Sequence, residues 1–227
     1  MTVIHVDTEN LEVNPESLID ELKIREQSDR NKVETMIEAA KEIVRPRFLY
    51  REVYHEQNSE DSICIEEIVF RSKVLRINLE GIYRVYPFVV TIGYEIEEWS
   101  SGFTDILDNY YANIVLQKIL SSTKNYFYHY LENKYRLNKV SAMHPGSLDD
   151  WPIEEQKKLF SLLDNAVDEI GVQLTNSLLM VPAKSISGLA FPTEINFENC
   201  LLCLRHNCPG RRAQFDANLY HEKYGLE

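Results

Sequence analysis

The sequence predicts an α+β fold, an antiparallel β-meander flanked by helices. Residues 48–94 form short apolar strands with short polar connections, which is typical of such a meander. A helical spacing of apolar residues follows at 103–131, about eight turns at 1.5 Å rise per residue. Apolar and polar residues alternate again at 172–192, which predicts two strands joined near Pro182.

Composition and charge exclude several classes of protein. A chain of 227 residues with 44% apolar residues is long enough for one large domain or two small ones. No apolar run approaches the ~20 residues of a membrane span, and the N-terminus has no secretory pattern. The net charge of −12 disfavours nucleic acid as a partner. We therefore expect a cytoplasmic protein without a membrane or nucleic-acid partner.

The N-terminal segment is predicted to hold an exposed strand or arm at 1–13 and two helices. Asn14 can cap the first helix and Pro15 fits its first position. A charged gap at 25–31 separates this helix from a second one, which spans 33–44.

The strands of the meander are predicted in order along the next segment. The first spans 48–54 and ends in a polar turn at 56–61. Further strands are expected at 63–70, 74–79 and 83–94.

The segment after the long helix is predicted to be a polar irregular stretch at 135–142, followed by a turn at Pro145-Gly146. Asp149 or Asp150 is expected to cap the next helix. The last residues, 214–227, are expected to form a polar tail with a short helix.

Two features near the predicted turns and helix ends have alternative interpretations. The aromatic end of the long helix, which includes Tyr126 and Tyr128, is either core packing or a stacking platform for a flat ligand. His144, beside the turn, is expected to be a surface histidine.

Three of the four cysteines lie within nine residues, at Cys200, Cys203 and Cys208. Thiolates are soft ligands, and this clustering suits zinc or an iron–sulfur cluster. His206 or Cys64 could supply a fourth ligand, although Cys64 on a strand is more typical of a small buried apolar residue. The alternative is an ordinary loop whose cysteines happen to be close.

The segment from the Pro145-Gly146 turn to Phe191 resembles the activation (reactivation) domain of cobalamin-dependent methionine synthase. That family has a Pro-Gly turn, a helix, and then a stretch of the form GxxLTxSxxMxPxxSxSG. The matching positions here are Gly171, Leu174, Thr175, Ser177, Met180, Pro182, Ser185, Ser187 and Gly188. The TIG sequence at 91–93, followed by a long helix, is similar to small free-standing relatives of that domain.

The resemblance implies a C-shaped α+β fold with a bent antiparallel sheet. It also implies a role in returning oxidised cob(II)alamin to methylcobalamin, with an external electron donor and S-adenosylmethionine. The cobalamin would be carried by a partner, a corrinoid-binding methyltransferase. The resemblance places the ligand-binding or docking lip at Pro145, Gly146, Ser147, Ser185, Ser187 and Gly188.

This chain departs from the family at residues that help to hold S-adenosylmethionine. Ala142 stands where the family usually has an arginine, and Ser147 stands where it has a tyrosine. The family's long helix also carries a glutamate facing the ligand, and the matching residues 123–128 contain none. These residue types are the ones that pair with a charged amino-acid group.

The cysteine segment resembles an addition found in anaerobic free-standing relatives. It favours an iron–sulfur centre that relays electrons to the partner's cob(II)alamin, with zinc as the alternative metal. Arg211 and Arg212 would offset the thiolate charge or dock an acidic partner. The rival hypotheses are a zinc-stapled interaction module and an S-adenosylmethionine-binding reactivase.

The predicted organisation has three parts within what is expected to be one structural domain. They are an N-terminal helical segment at 1–45, an activation-domain-like core at 46–198 and a cysteine-bearing extension at 199–227.

Overall fold

The computed structural model describes residues 1–164, 166–194, 197–205, 207–208 and 211–226, which form an α+β fold as predicted. Its helices are α1 (Pro15–Glu21), α2 (Gln27–Ile43), α3 (Lys73–Asn78), α4 (Ile96–Ser101), α5 (Ile106–Tyr135), α6 (Gln156–Leu163) and α7 (Ala166–Glu169). Its strands are β1 (Thr2–His5), β2 (Arg47–Tyr50), β3 (Val53–Ser59), β4 (Ser62–Ile65), β5 (Ile68–Arg71), β6 (Arg84–Thr91), β7 (Val140–Met143), β8 (Gln173–Leu174), β9 (Met180–Val181) and β10 (Ser185–Pro192).

The main sheet is antiparallel throughout the described residues, and β6 lies at its centre. The last residues of β6 pair with β2 on one side and with β10 on the other, whereas its first residues pair with β3. β1 extends the sheet beyond β2, and β4 and β5 continue the meander beyond β3. β7 pairs with the end of β10, so the segment that resembles the activation domain contributes two strands to this sheet.

Alternate residues of β6 face two separate cores, because successive side chains of a strand point to opposite faces. Tyr86, Phe88 and Val90 pack with α2 and α5. Val85 lies in a second core that also holds Trp151 and Tyr224, so the C-terminal residues pack on the opposite face. No helix in the described part of the chain is long and apolar enough to span a membrane.

The first two helices occur largely as predicted. The Asn14 side chain accepts a hydrogen bond from the backbone N–H of Ser17 at 3.1 Å and caps α1. α2 begins at Gln27, so the predicted charged gap at 25–31 is mostly helical. Charged residues on its exposed side do not interrupt the apolar stripe, whose buried members are Val33, Met36, Ile37 and Ala40.

The prediction of a strand at 74–79 is wrong, because α3 occupies these residues. Its start is fixed by Ser72, whose hydroxyl accepts from the N–H of Leu75 at 2.9 Å. Asp150 also accepts from the N–H groups of Lys73 and Val74, at 3.1 and 3.0 Å. The predicted capping aspartate therefore caps a helix far away in the sequence, which sequence spacing alone does not reveal.

Three further boundaries differ from the predictions. β3 runs through most of the expected polar turn at 56–61. The single strand expected at 63–70 is a hairpin, because Glu66 and Glu67 adopt positive φ and reverse the chain between β4 and β5. β7 occupies the end of the irregular stretch at 135–142, where pairing with β10 overrides the weak local pattern.

Candidate functional site

The Pro145–Ser147 turn directly follows β7 and reverses the chain toward Trp151. Gly146 has φ +79° and donates its N–H to the carbonyl of Trp151 at 2.7 Å. A Cβ at position 146 would come within 3.0 Å of the Ile153 side chain, so glycine meets both a conformational and a steric need. Pro145 is buried, whereas Gly146 and Ser147 are exposed.

The two serines of the predicted lip are buried and hydrogen-bonded in the sheet. The Ser185 hydroxyl donates to the Thr91 hydroxyl at 3.0 Å and to the Pro182 carbonyl at 2.8 Å. The Ser187 hydroxyl accepts from the Gln156 amide at 3.2 Å. These contacts position strands and α6, and neither serine lines the pocket described below.

Gly188 permits a close approach between β10 and the end of β7. A Cβ there would lie 2.6 Å from the Met143 carbonyl oxygen and 2.7 Å from Nδ1 of His144. His144 Nδ1 lies 2.8 Å from the Ser187 carbonyl oxygen. Because a carbonyl only accepts, Nδ1 carries the proton and Nε2 keeps its lone pair.

His144 does not occupy the ordinary surface position expected from the sequence. Burial lowers the pKa of its imidazole to about 4, a change that the Ser187 carbonyl only partly offsets. The ring is therefore neutral at physiological pH. It lies edge-on to Phe88, with ring centroids 6.0 Å apart, and faces a pocket.

This pocket is the candidate site, a cavity of about 150 Å³ between α5, β7 and the C-terminal segment. Its wall from α5 contains Lys124, Tyr128 and Glu132, which are spaced four residues apart and so share one helix face. The complete lining is Lys124, Asn125, Tyr128, His129, Glu132, Lys139, Val140, Ser141, Ala142, His144, Phe197, Glu198 and Arg212.

The aromatic residues at the end of α5 are divided between the core and the pocket. Phe127 is fully buried and packs against Phe48 and Phe88, with ring centroids 5.0 and 4.7 Å apart. Tyr128 instead lines the pocket, and burial raises the pKa of its phenol well above the ordinary value. Its hydroxyl therefore stays protonated and available as a donor.

Glu132 is a functional candidate that sequence reasoning missed. The family's glutamate was expected within residues 123–128, which contain none, and Glu132 lies one turn beyond Tyr128 on the same helix face. One carboxylate oxygen accepts from the N–H of Val140 at 3.0 Å, and the other lies 2.8 Å from Nδ1 of His129. The i, i+4 spacing from Tyr128 is the signal that could have found it.

Lys124 and Arg212 are two of the cations that line the pocket, together with Lys139. Lys124 is 7% exposed, and its ammonium lies 5.2 Å from the centre of the Tyr128 ring. Burial, with Arg212 nearby, lowers the pKa of Lys124 to about 8, although Glu198 opposes this change. Arg212 pairs with Glu198 at 3.1 Å.

The C-terminal segment is held together by Arg211. Its guanidinium donates to the carbonyls of Cys200 and Ala213 at 3.0 and 3.1 Å, and to those of Cys203 and Arg205 at 3.0 and 2.6 Å. This guanidinium thus has a structural role. Since the same segment supplies Phe197, Glu198 and Arg212 to the pocket, Arg211 also fixes one wall of the site.

The cysteines do not form a metal site among the residues that the structure describes. No three His, Cys, Asp or Glu side chains there are grouped so that they could hold a metal ion. The Cys200 sulfur lies 3.5 Å from the N–H of Arg212, and Cys203 packs against an apolar core. His206 lies outside the described residues. The predicted ligation by Cys200, Cys203 and Cys208 stays a prediction.

Cys64 is poorly placed to complete such a site. Its neighbours Ile63 and Ile65 are fully buried in the core that Cys203 contacts. Since side chains alternate along β4, Cys64 points to the other face of the hairpin.

The segment that forms the site matches a known family. Residues 129–196 match the family described as vitamin B12 dependent methionine synthase, activation domain. This range includes Glu132, β7, the Pro145–Ser147 turn, α6 and β10. The resemblance inferred from the sequence is therefore confirmed over this segment.

The fold is also similar to that of a solved structure. The chain is similar to the structure titled crystal structure of the MetH reactivation domain bound to AdoHcy, with a TM-score of 0.62 and 14% sequence identity. The likeness covers 88% of this chain and 81% of that chain. No curated protein gives a significant match.

Proposed function

We propose that this chain reactivates a cobalamin-dependent methyltransferase by docking over the partner's corrinoid and binding an S-adenosyl ligand. The observation that supports this most is the pocket itself, one wall of which, from His129 to His144, belongs to the segment matching the activation domain. Its walls carry both carboxylates and cations, the partners that a zwitterionic amino-acid group requires.

The pocket size indicates how such a ligand would sit. A cavity of about 150 Å³ is smaller than the roughly 300–1,000 Å³ typical of sites for drug-sized ligands. The amino-acid end therefore enters the pocket, and the nucleoside lies at its mouth, toward the docked partner. His144, Tyr128 and Glu132 orient the buried end.

The proposed reaction needs one electron and one methyl group for each cobalamin. An external low-potential donor gives one electron to cob(II)alamin on the partner. S-adenosylmethionine then transfers its methyl group to the reduced cobalt and leaves as S-adenosylhomocysteine. The residues of this chain position the sulfonium ligand and exclude water from it, and the electron comes from the donor.

Equilibrium dialysis of the full chain with labelled S-adenosylmethionine tests the ligand half of the proposal. We expect saturable binding at one ligand per chain, which an excess of S-adenosylhomocysteine displaces. Absence of binding at millimolar ligand would overturn it. That result would favour the second candidate function, a non-catalytic protein-interaction module. In such a module the C-terminal segment would occupy part of the ligand-binding site, and the small volume of the cavity also supports this.

An iron–sulfur relay or a zinc staple at the cysteines is a separate proposal with its own test. Iron, zinc and acid-labile sulfide are measured on protein purified without oxygen, for the wild type and for Cys203→Ala. Iron and sulfide near four per chain, lost in the variant, would support the relay. Stoichiometric zinc without sulfide would support a structural zinc site. If neither iron nor zinc is found, the hydrogen bonds of Arg211 would be what holds the segment together.

A further inference from the structure

We propose that Lys124 and Arg212 form a carboxylate-binding site, to which the C-terminal segment contributes Arg212. The identification of the carboxylate as the amino-acid end of an S-adenosyl ligand rests on the proposed function. The cation arrangement itself does not depend on it.

The burial of Lys124 supports this inference first. A lysine that is 93% buried is normally paired, because removing an ammonium from water costs free energy unless an anion compensates it. Among the residues that the structure describes, the Lys124 ammonium has neither a hydrogen-bond acceptor nor an ion-pair partner. The ammonium lies 5.2 Å from the centre of the Tyr128 ring, and the residue borders the pocket. Glu198, whose charge acts on Lys124, is paired with Arg212. An anion in the pocket would supply the missing partner.

Arg212 is the second observation. It borders the same pocket as Lys124, and these two like charges repel each other in the empty geometry. A carboxylate between them would remove this repulsion and could accept from both. Glu198, paired with Arg212 at 3.1 Å, would then face the ammonium of the same amino-acid group.

The position of Ala142 explains why the chain needs a cation from elsewhere. Ala142 lines the same pocket as Arg212 and occupies the position where the family usually has an arginine. Its side chain carries no charge, so Arg212 of the C-terminal segment supplies a cation to the same pocket.

Calorimetric titration of the full chain tests the site with three variants. Since a charged hydrogen bond contributes roughly ten- to hundred-fold in affinity, Lys124→Met and Arg212→Gln should each weaken S-adenosylhomocysteine binding by that factor. Lys118→Met, which removes a half-buried lysine of the same helix that pairs with Glu21 outside the pocket, is the matched control and should bind as the wild type does. Circular dichroism confirms that each variant folds. Equal binding by all four proteins would overturn the inference and leave the proposed function intact.

A second measurement keeps the inference testable if S-adenosylhomocysteine does not bind. The full chain, with ¹⁵N-labelled lysine, is titrated with acetate, and the Lys124 amine resonance is followed by NMR. A saturable shift that is weakened in Arg212→Gln supports the carboxylate site even if the proposed function fails. A resonance unaffected by acetate, together with no S-adenosylhomocysteine binding, contradicts it.

Discussion

Gly188 lies directly against His144, so that a Cβ at position 188 would sit 2.7 Å from the imidazole Nδ1. The same Cβ would sit 2.6 Å from the backbone oxygen of Met143. The last glycine of the SxSG stretch thus lets β10 approach β7 and places His144 at the pocket wall. This relationship links a sequence motif to the geometry of the site.

Gly188→Ala should destabilise the fold and displace His144, because the rigid Met143 carbonyl has no room to move. Overpacking of this kind costs about 1–3 kcal/mol of unfolding free energy, measured by urea denaturation. Gly102→Ala is the control, since a Cβ there would meet no atom closer than 3.3 Å. Equal stability of the two variants would contradict the close-packing account.

Acid should destabilise the protein partly through His144. Its folded-state pKa of about 4 lies below the usual histidine pKa of 6.5, so the unfolded chain binds the proton first as pH falls. Stability is therefore fully present above pH 6.5 and is lost as pH decreases toward 4, by at most about 3 kcal/mol. Burial also lowers the pKa of His55, which contributes with the same sign.

The His144 contribution is isolated by comparison with His144→Asn, whose amide can still donate to the Ser187 carbonyl. Urea denaturation between pH 4 and 7 should show a shallower loss of stability in this variant. An identical pH dependence of both proteins would show that His144 is not the group responsible.

Arg211→Gln should loosen the C-terminal segment while the rest of the fold stays intact. The variant loses charged hydrogen bonds to the carbonyls of Cys200 and Cys203, each worth about 1.5–3 kcal/mol. Local opening should rise at least about tenfold, measured as faster thiol labelling of Cys200. Arg205→Gln changes an exposed side chain of the same segment and should label at the wild-type rate. A wild-type labelling rate in Arg211→Gln would refute the proposed role.

Asp150→Ala should destabilise the protein by about 1–2 kcal/mol, because it removes the carboxylate that caps α3 from a distant segment. Thermal and urea denaturation measure the loss. Asp149→Ala, at an exposed neighbouring position, should be close to neutral. Similar effects of both substitutions would indicate a general charge effect instead of a cap.

Local and long-range information explain which predictions succeeded. The long helix, the cap at Asn14 and the antiparallel class follow from periodicity and capping chemistry within a few residues. The strand wrongly predicted at 74–79 has an alternating pattern that the Ser72 cap and Asp150 override. Such tertiary contacts cannot be read from local spacing.

The candidate site was predicted only in part, because it also depends on contacts between residues that are distant in the sequence. The motif marks the strands and turn around the pocket, but Ser185 and Ser187 serve the sheet itself. Lys124 and Arg212 lie 88 positions apart (212 − 124) in the sequence, and only the folded chain brings them to one pocket. The cysteine cluster marks the C-terminal segment, in which Arg212 lines the pocket and Arg211 holds the segment together.

The most direct test of the central proposal is methyl transfer to a corrinoid partner. A cobalamin-loaded methionine synthase fragment without its own activation domain is incubated with this chain, a chemical one-electron reductant and S-adenosylmethionine labelled in its methyl group. We predict labelled methylcobalamin that requires the chain and decreases with Lys124→Met. The fragment's native activation domain, added separately, is the positive control. If that domain restores methylcobalamin but this chain does not, the proposed reactivation function is contradicted.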